Sequence, residues 1–188
     1  TVTEVGATLR QLSHGGRDLV VPFDAEQMMR VHRGALLAPW PNRIADGRYT
    51  FDGKEHQLPI NEVDRHNAIH GLVSWVPWRL VAQTEDSVVL AYHLFPQAGY
   101  PFNVEITASY LLGSEGLTCS IRATNLGPTQ APYGVSAHPY LVAGPGLVND
   151  WTLEVPAESV LEVTPDRLLP VGVREVAGEL DFRSPRVI

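Results

Sequence analysis

Apolar and polar residues alternate one by one through much of this chain, and that period of two predicts strands with one buried face. In FNVEITASYLL, Phe102, Val104, Ile106, Ala108 and Tyr110 fall on one side; Asn103, Glu105, Thr107 and Ser109 fall on the other. LTCSIRATNLG repeats the pattern, with Leu117, Cys119, Ile121 and Ala123 expected inward. Ser114-Glu115-Gly116 supplies the turn between these two strands. DSVVLAYHLF is apolar at both sets of positions and predicts a strand covered on both faces. RYTFDGKEHQL sets Asp52-Gly53 between two extended runs, a pair that suits a two-residue hairpin because both positions tolerate positive φ. WTLEV and SVLEV add two shorter strands. The one helical candidate is a single turn around Ala25 to Arg30, with no amphipathic stripe.

Strands and turns recurring about every ten residues predict an all-β chain, a large antiparallel β-sandwich or a barrel. Fifteen prolines and sixteen glycines fit the many turns this requires. The 188 residues suffice for one sizeable core, and no repeat or linker divides them, so residues 1–188 are expected to form a single domain or one piece of a larger one. A net charge of −7 argues against nucleic acid, whose binding relies on basic surface. No apolar run has bilayer-spanning length and the first residues show no secretory leader, so neither a membrane nor an export route is indicated. The single cysteine, Cys119, offers no internal disulfide and reads as a small core residue. A cytoplasmic location is the expectation.

Three stretches carry candidate chemistry. In GALLAPWPNRIADG, Ala38 and Trp40 each precede proline and are biased to extended backbone, which holds Asn42 and Arg43 on a stiff segment. A guanidinium held there donates paired hydrogen bonds to oxygen ligands, or else is a surface arginine in a loop. In DRHNAIHGLVSW, His66 and His70 are four apart, a metal-binding spacing on a helix. Asn67 and Gly71 argue against a helix, and no third ligand is near, so loop histidines are expected instead. Gly71 permits close approach of backbone or ligand. In APYGVSAHPYLVAG, Gly134, Ser136 and His138 share one small, polar strand face, more like a pocket wall than a core. Pro139 keeps His138 extended, and an imidazole there suits proton transfer or a structural hydrogen bond. Ser136 is a poor nucleophile for His138, since two residues apart on one strand gives a bad attack geometry and no buried aspartate completes a triad.

Taken in series, PWPNRIADGRYTFDGKEHQL, NAIHG and YGVSAHPYL resemble the aldose 1-epimerase (galactose mutarotase) family in order and spacing, over roughly Gly6 to Ile188. The resemblance implies a galactose mutarotase-like supersandwich of antiparallel sheets. It implies interconversion of the α and β anomers of free aldohexoses by acid–base ring opening, with no metal or organic cofactor. It makes His138 the general acid at the ring oxygen and places His70 in hydrogen-bonding reach of the same oxygen or a neighbouring hydroxyl. It implies that Arg43, Asn42, His70 and Tyr140 bind the sugar. Trp40, Trp75 and Trp78 either stack on a sugar or fill the core.

One part of the family pattern is unmatched. The family's general base is a glutamate near its C-terminus, and an aspartate that binds sugar hydroxyls lies there too. This sequence resembles the segment that precedes them, so a truncated domain, exposed sheet edges and poor solubility of residues 1–188 alone are expected. Glu105 is the first substitute base to consider, although its strand face reads as solvent-facing. Two other readings follow. One is a non-catalytic carbohydrate-binding module on the same fold. The other is a hexose-6-phosphate 1-epimerase, for which Arg65 and Arg79 flank the second motif without forming a cluster.

Overall fold

The computed structural model describes residues 1–188 as strands, turns and three single-turn 3-10 segments (Val63–Arg65, Val148–Asp150 and Gly178–Leu180), with no α-helix. The chain separates into two compact units, Thr1–Tyr140 and Leu141–Ile188. The first holds β1 (Ser13–His14), β2 (Arg17–Asp18), β3 (Leu36–Leu37), β4 (Arg43–Ala45), β5 (Arg48–Phe51) and β6 (Lys54–Gln57). It continues with β7 (Asn67–Ile69), β8 (Arg79–Gln83), β9 (Ser87–Leu94), β10 (Val104–Gly113), β11 (Gly116–Asn125) and β12 (Ser136–Ala137). The second holds β13 (Thr152–Leu153), β14 (Ser159–Val163), β15 (Pro170–Glu175) and β16 (Arg186–Val187).

The framework of the first unit is an antiparallel sheet in the order β11-β10-β9-β8. Its inner strand β10 and the segment leading into it obey the period of two: Phe102, Val104, Ile106, Ala108 and Tyr110 are all buried. Removing one such large side chain from water stabilises the fold by about 1.5–3 kcal/mol. The Tyr110 hydroxyl, carried into this core, donates to the Ala7 carbonyl at 2.7 Å, so its burial strands no donor. Leu36, Ala38, Leu58, Ala68, Val73 and Trp78 pack into the same cluster, which fixes the backbone on either side of the candidate residues.

The Asp-Gly hairpin forms as expected. Asp52 (φ 49°) and Gly53 (φ 71°) join β5 to β6, with Phe51 paired to Lys54. Gly113 pairs with Gly116 across Ser114 and Glu115. SVLEV forms β14, paired with β15, whereas WTLEV contributes only the two residues of β13, paired with β16.

Two expectations are corrected. Cys119 is exposed, not a core residue, because β11 is the outermost strand of its sheet; Leu117 and Ile121 alone among the inward set pack on the core. Residues 25–30 form turns and bends rather than a helical turn, as the missing apolar stripe would leave a helix nothing to bury. On β9 the neighbours Leu90 and Ala91, which face opposite sides, are both buried and no residue is exposed, in keeping with the expected cover on both faces. No helix is long and apolar enough to cross a membrane.

Candidate active site

Backbone register brings the three motifs together. β4 pairs with β7, Arg43 opposite Ile69 and Ala45 opposite Asn67, so the two stretches emerge side by side. Beyond that ladder Asn42 and His70 both turn into the left-handed region, at φ 61° and 62°. They then bind each other twice. The His70 backbone N–H donates to the Asn42 carbonyl at 3.0 Å, and the Asn42 backbone N–H donates to His70 Nδ1 at 3.1 Å. A nitrogen that accepts carries no proton, so neutral His70 is the tautomer with hydrogen on Nε2. Its ring therefore presents a hydrogen-bond donor away from the backbone.

The third motif arrives through β12, which pairs with β3: Ser136 opposite Leu37, Ala137 opposite Leu36. The His138 backbone N–H donates to the Ala35 carbonyl at 3.0 Å, and its carbonyl accepts from Gly34 at 2.8 Å. Gly134, Ser136, His138 and Tyr140 are half-buried while Val135, Ala137 and Pro139 are exposed, the alternation expected of that stretch. The Ser136 hydroxyl is turned to the Ala137 carbonyl at 3.1 Å. The His138 ring lies 5.2 Å from the His70 ring, edge to face, and 5.4 Å from the Tyr140 ring.

Arg43 is held by a partner the sequence did not reveal. Glu62 takes its Nε and Nη2 in a two-pronged ion pair, with contacts of 2.8 Å from each, and Asn42 Oδ1 accepts from Nη1 at 3.1 Å. Buried Asn67 donates to Glu62 Oε2 at 2.8 Å, and Arg65 stands 3.6 Å from Oε1. The Arg43 hydrogen bond, ahead of its charge, holds the Glu62 carboxyl below the ordinary range. Three of the five guanidinium N–H donors are thus engaged, and two remain for oxygen ligands.

Glu62→Gln keeps the shape but removes the charge. The ion pair's contribution to stability is full above the unfolded carboxyl pKa and is lost as pH falls through the lower folded one. Urea midpoints from pH 6 to pH 3 should therefore fall more steeply in the parent protein than in Glu62→Gln.

Two further side chains complete the cluster: Trp75, one of the three tryptophans considered above, and His32, to which no motif pointed. His32 (φ 56°) sets its ring 4.8 Å from His70, edge to face, and 5.4 Å from Trp75. Trp75 is exposed, Trp40 is half-buried against the core and Trp78 lies within it, so of the two roles considered the core one holds for Trp78. Burial first, then the neighbouring His32, His138 and Arg43, push the His70 ring down to about 4. His32 is lowered by burial and by His138. His66 is not part of this cluster; its Nδ1 is 3.0 Å from Asp46 Oδ1 on the exposed surface.

The whole chain, residues 1–188, matches the family model described as aldose 1-epimerase. It is 43% identical over 164 residues to the uncharacterized protein YihR of Escherichia coli K12, covering 87% of this chain and 53% of that protein. It is 33% identical over 163 residues to the galactose mutarotase of Rattus norvegicus, covering 81% and 45%. Among solved structures, the GalM/aldose epimerase homologue from Caenorhabditis elegans superposes with a TM-score of 0.87 at 26% identity, over 98% of this chain and 60% of that one. An all-β chain of the galactose mutarotase-like fold, with this run of motifs, belongs to the aldose 1-epimerase family. The chain spans about half the length of the curated relatives it matches.

Proposed function

We propose that the protein interconverts the α and β anomers of a free, galactose- or glucose-like aldohexose. The observation that carries this reading is the meeting of two imidazoles from separate motifs, 5.2 Å apart, beside an oriented guanidinium. Ring opening needs a base to take the anomeric hydroxyl proton. Its electron pair forms the C1 carbonyl, the bond from C1 to the ring oxygen breaks, and an acid protonates that oxygen. His138 is the acid. His70 donates Nε2–H to the ring oxygen or a neighbouring hydroxyl, and Arg43 with Asn42 and Tyr140 holds the remaining hydroxyls. Rotation about C1–C2 and the reverse steps give the other anomer, so atoms and charge balance with no cofactor.

Within this cluster no carboxylate is free to be the base. Glu62 is committed to Arg43, and Glu105 sits in the four-stranded sheet opposite His93 and Thr124. The family resemblance assigns the base to a glutamate that follows the matched segment. A neutral sugar suits the site better than a sugar phosphate, because Glu62 already neutralises Arg43 and lies beside Arg65.

The test is polarimetry on the natural gene product with freshly dissolved α-D-galactose and then α-D-glucose. Faster approach to anomeric equilibrium is the expected result. No acceleration, with sugar binding retained by calorimetry, overturns catalysis and leaves a binding module. Acceleration confined to a 6-phosphate overturns the free-sugar reading.

A further inference from the structure

The third imidazole, His32, is unexplained by the three motifs. It lies in the turn before β3, with its backbone in the left-handed region and its carbonyl accepting from the Ala35 N–H at 3.0 Å. Its ring is sandwiched between His70 and Trp75. Its Nδ1 is buried with no hydrogen-bond partner.

That last fact decides its charge. An imidazolium has two N–H donors, and here one would be buried without an acceptor, which costs about 1–3 kcal/mol or more for a charged group. His70 is constrained in the same direction by a different contact. Protonating its Nδ1 would set an N–H against the Asn42 N–H that now donates to it. Two of the three rings are therefore held neutral by their hydrogen-bond geometry.

We infer that His32 is a positioning residue: packed edge-on against His70, it keeps that ring seated on the Asn42 N–H, and so as a neutral Nε2–H donor, and leaves His138 to carry the proton the reaction uses. This rests on the mutarotase reading given above and adds to it a residue that acts through His70. The charged and titratable groups facing His70 are His32, His138, Arg43 and Glu62, the last two offsetting each other as an ion pair. His32 is faced by His70 and His138, while neighbouring Arg33 is turned to the Pro22 carbonyl and the Tyr140 ring.

Two variants separate ring from backbone. His32→Asn removes the ring but suits a positive φ, since asparagine enters the left-handed region readily. His32→Phe keeps a flat ring against His70 and Trp75 and removes the nitrogens. Ring-nitrogen NMR on the natural gene product reads the His70 tautomer directly, whether or not sugar is turned over.

In the parent protein His70 should remain a single Nε2–H tautomer from pH 8 to pH 5. In His32→Asn it should become a tautomer mixture and titrate higher, nearer an ordinary histidine, while kcat/KM falls by roughly 10- to 100-fold. His32→Phe should restore the single tautomer and bring kcat/KM back to within a few-fold of the parent. An unchanged His70 spectrum in His32→Asn overturns the inference at any activity, as does a tautomer mixture in His32→Phe. A parent protein that fails to mutarotate, with His70 still responding to His32→Asn, overturns the function and leaves the coupling of the two rings standing.

Discussion

Gly71→Ala should lower the melting temperature of the protein by roughly 5–20 °C and cost about 2–5 kcal/mol. Gly71 has φ 75°, where a residue with a Cβ pays about 1–2 kcal/mol. Crowding costs more than this backbone strain. A Cβ there would lie 2.0 Å from the Ala38 carbonyl oxygen, 2.4 Å from its carbon and 2.9 Å from its nitrogen. All three are backbone atoms, so no side chain can rotate aside. Ala38 is fully buried, bridges Gly71 in parallel, and accepts from the Leu72 N–H at 2.7 Å. The two chain segments must separate, and overpacking of this kind costs about 1–3 kcal/mol or more.

Gly53→Ala is the control that isolates the crowding. Gly53 has φ 71° but nothing within 4 Å of the added carbon, so it should lose only the conformational part. Equal melting points for the two variants would show that the close approach of Gly71 to Ala38 contributes nothing. Separation at this point also moves His70, one residue away. Gly71→Ala protein that remains folded should therefore bind sugar more weakly, whereas Gly53→Ala should not.

The sequence made the close approach at Gly71 legible, because a glycine directly after a candidate histidine has few other uses. It made β10 legible for a related reason: a strand with one face in water has to alternate, and Phe102 to Tyr110 do. The Asp52-Gly53 turn was readable from two residues whose backbone preferences are strong. Cys119 was not, since alternation records a strand's faces and not whether anything covers them. Its strand is the last in the sheet. The site divides along the same line. His70, His138, Asn42 and Arg43 stand in local motifs whose neighbours restrict the backbone. Glu62 and His32 do not. Glu62 reaches Arg43 across 19 positions, and His32 meets His70 across 38, through a register that only the folded β4–β7 and β3–β12 ladders establish.

His138→Ala is expected to reduce kcat for anomer interconversion by about 10²- to 10⁴-fold, with KM changed by only a few-fold. The asymmetry follows from the role proposed for the ring. Opening the sugar leaves the former ring oxygen as an alkoxide unless a proton reaches it as the bond breaks. That demand exists in the transition state and hardly at all in the bound sugar, so losing the donor affects kcat rather than binding. At 1.36 kcal/mol per tenfold, the loss corresponds to about 3–5 kcal/mol of barrier. The fold should be spared, because the main-chain bonds of His138 to Gly34 and Ala35 need no side chain. Arg43→Lys provides the contrast. Lysine cannot form the two-pronged pair with Glu62 or present a planar fork to hydroxyls, so its defect should lie mainly in KM. His70, pushed down to about 4, stays neutral across the working range, so any rate change between pH 5 and pH 8 belongs to another group. If His138→Ala retains the parent kcat while Arg43→Lys loses affinity, the pocket binds sugar but the proton comes from elsewhere, and the acid assignment falls.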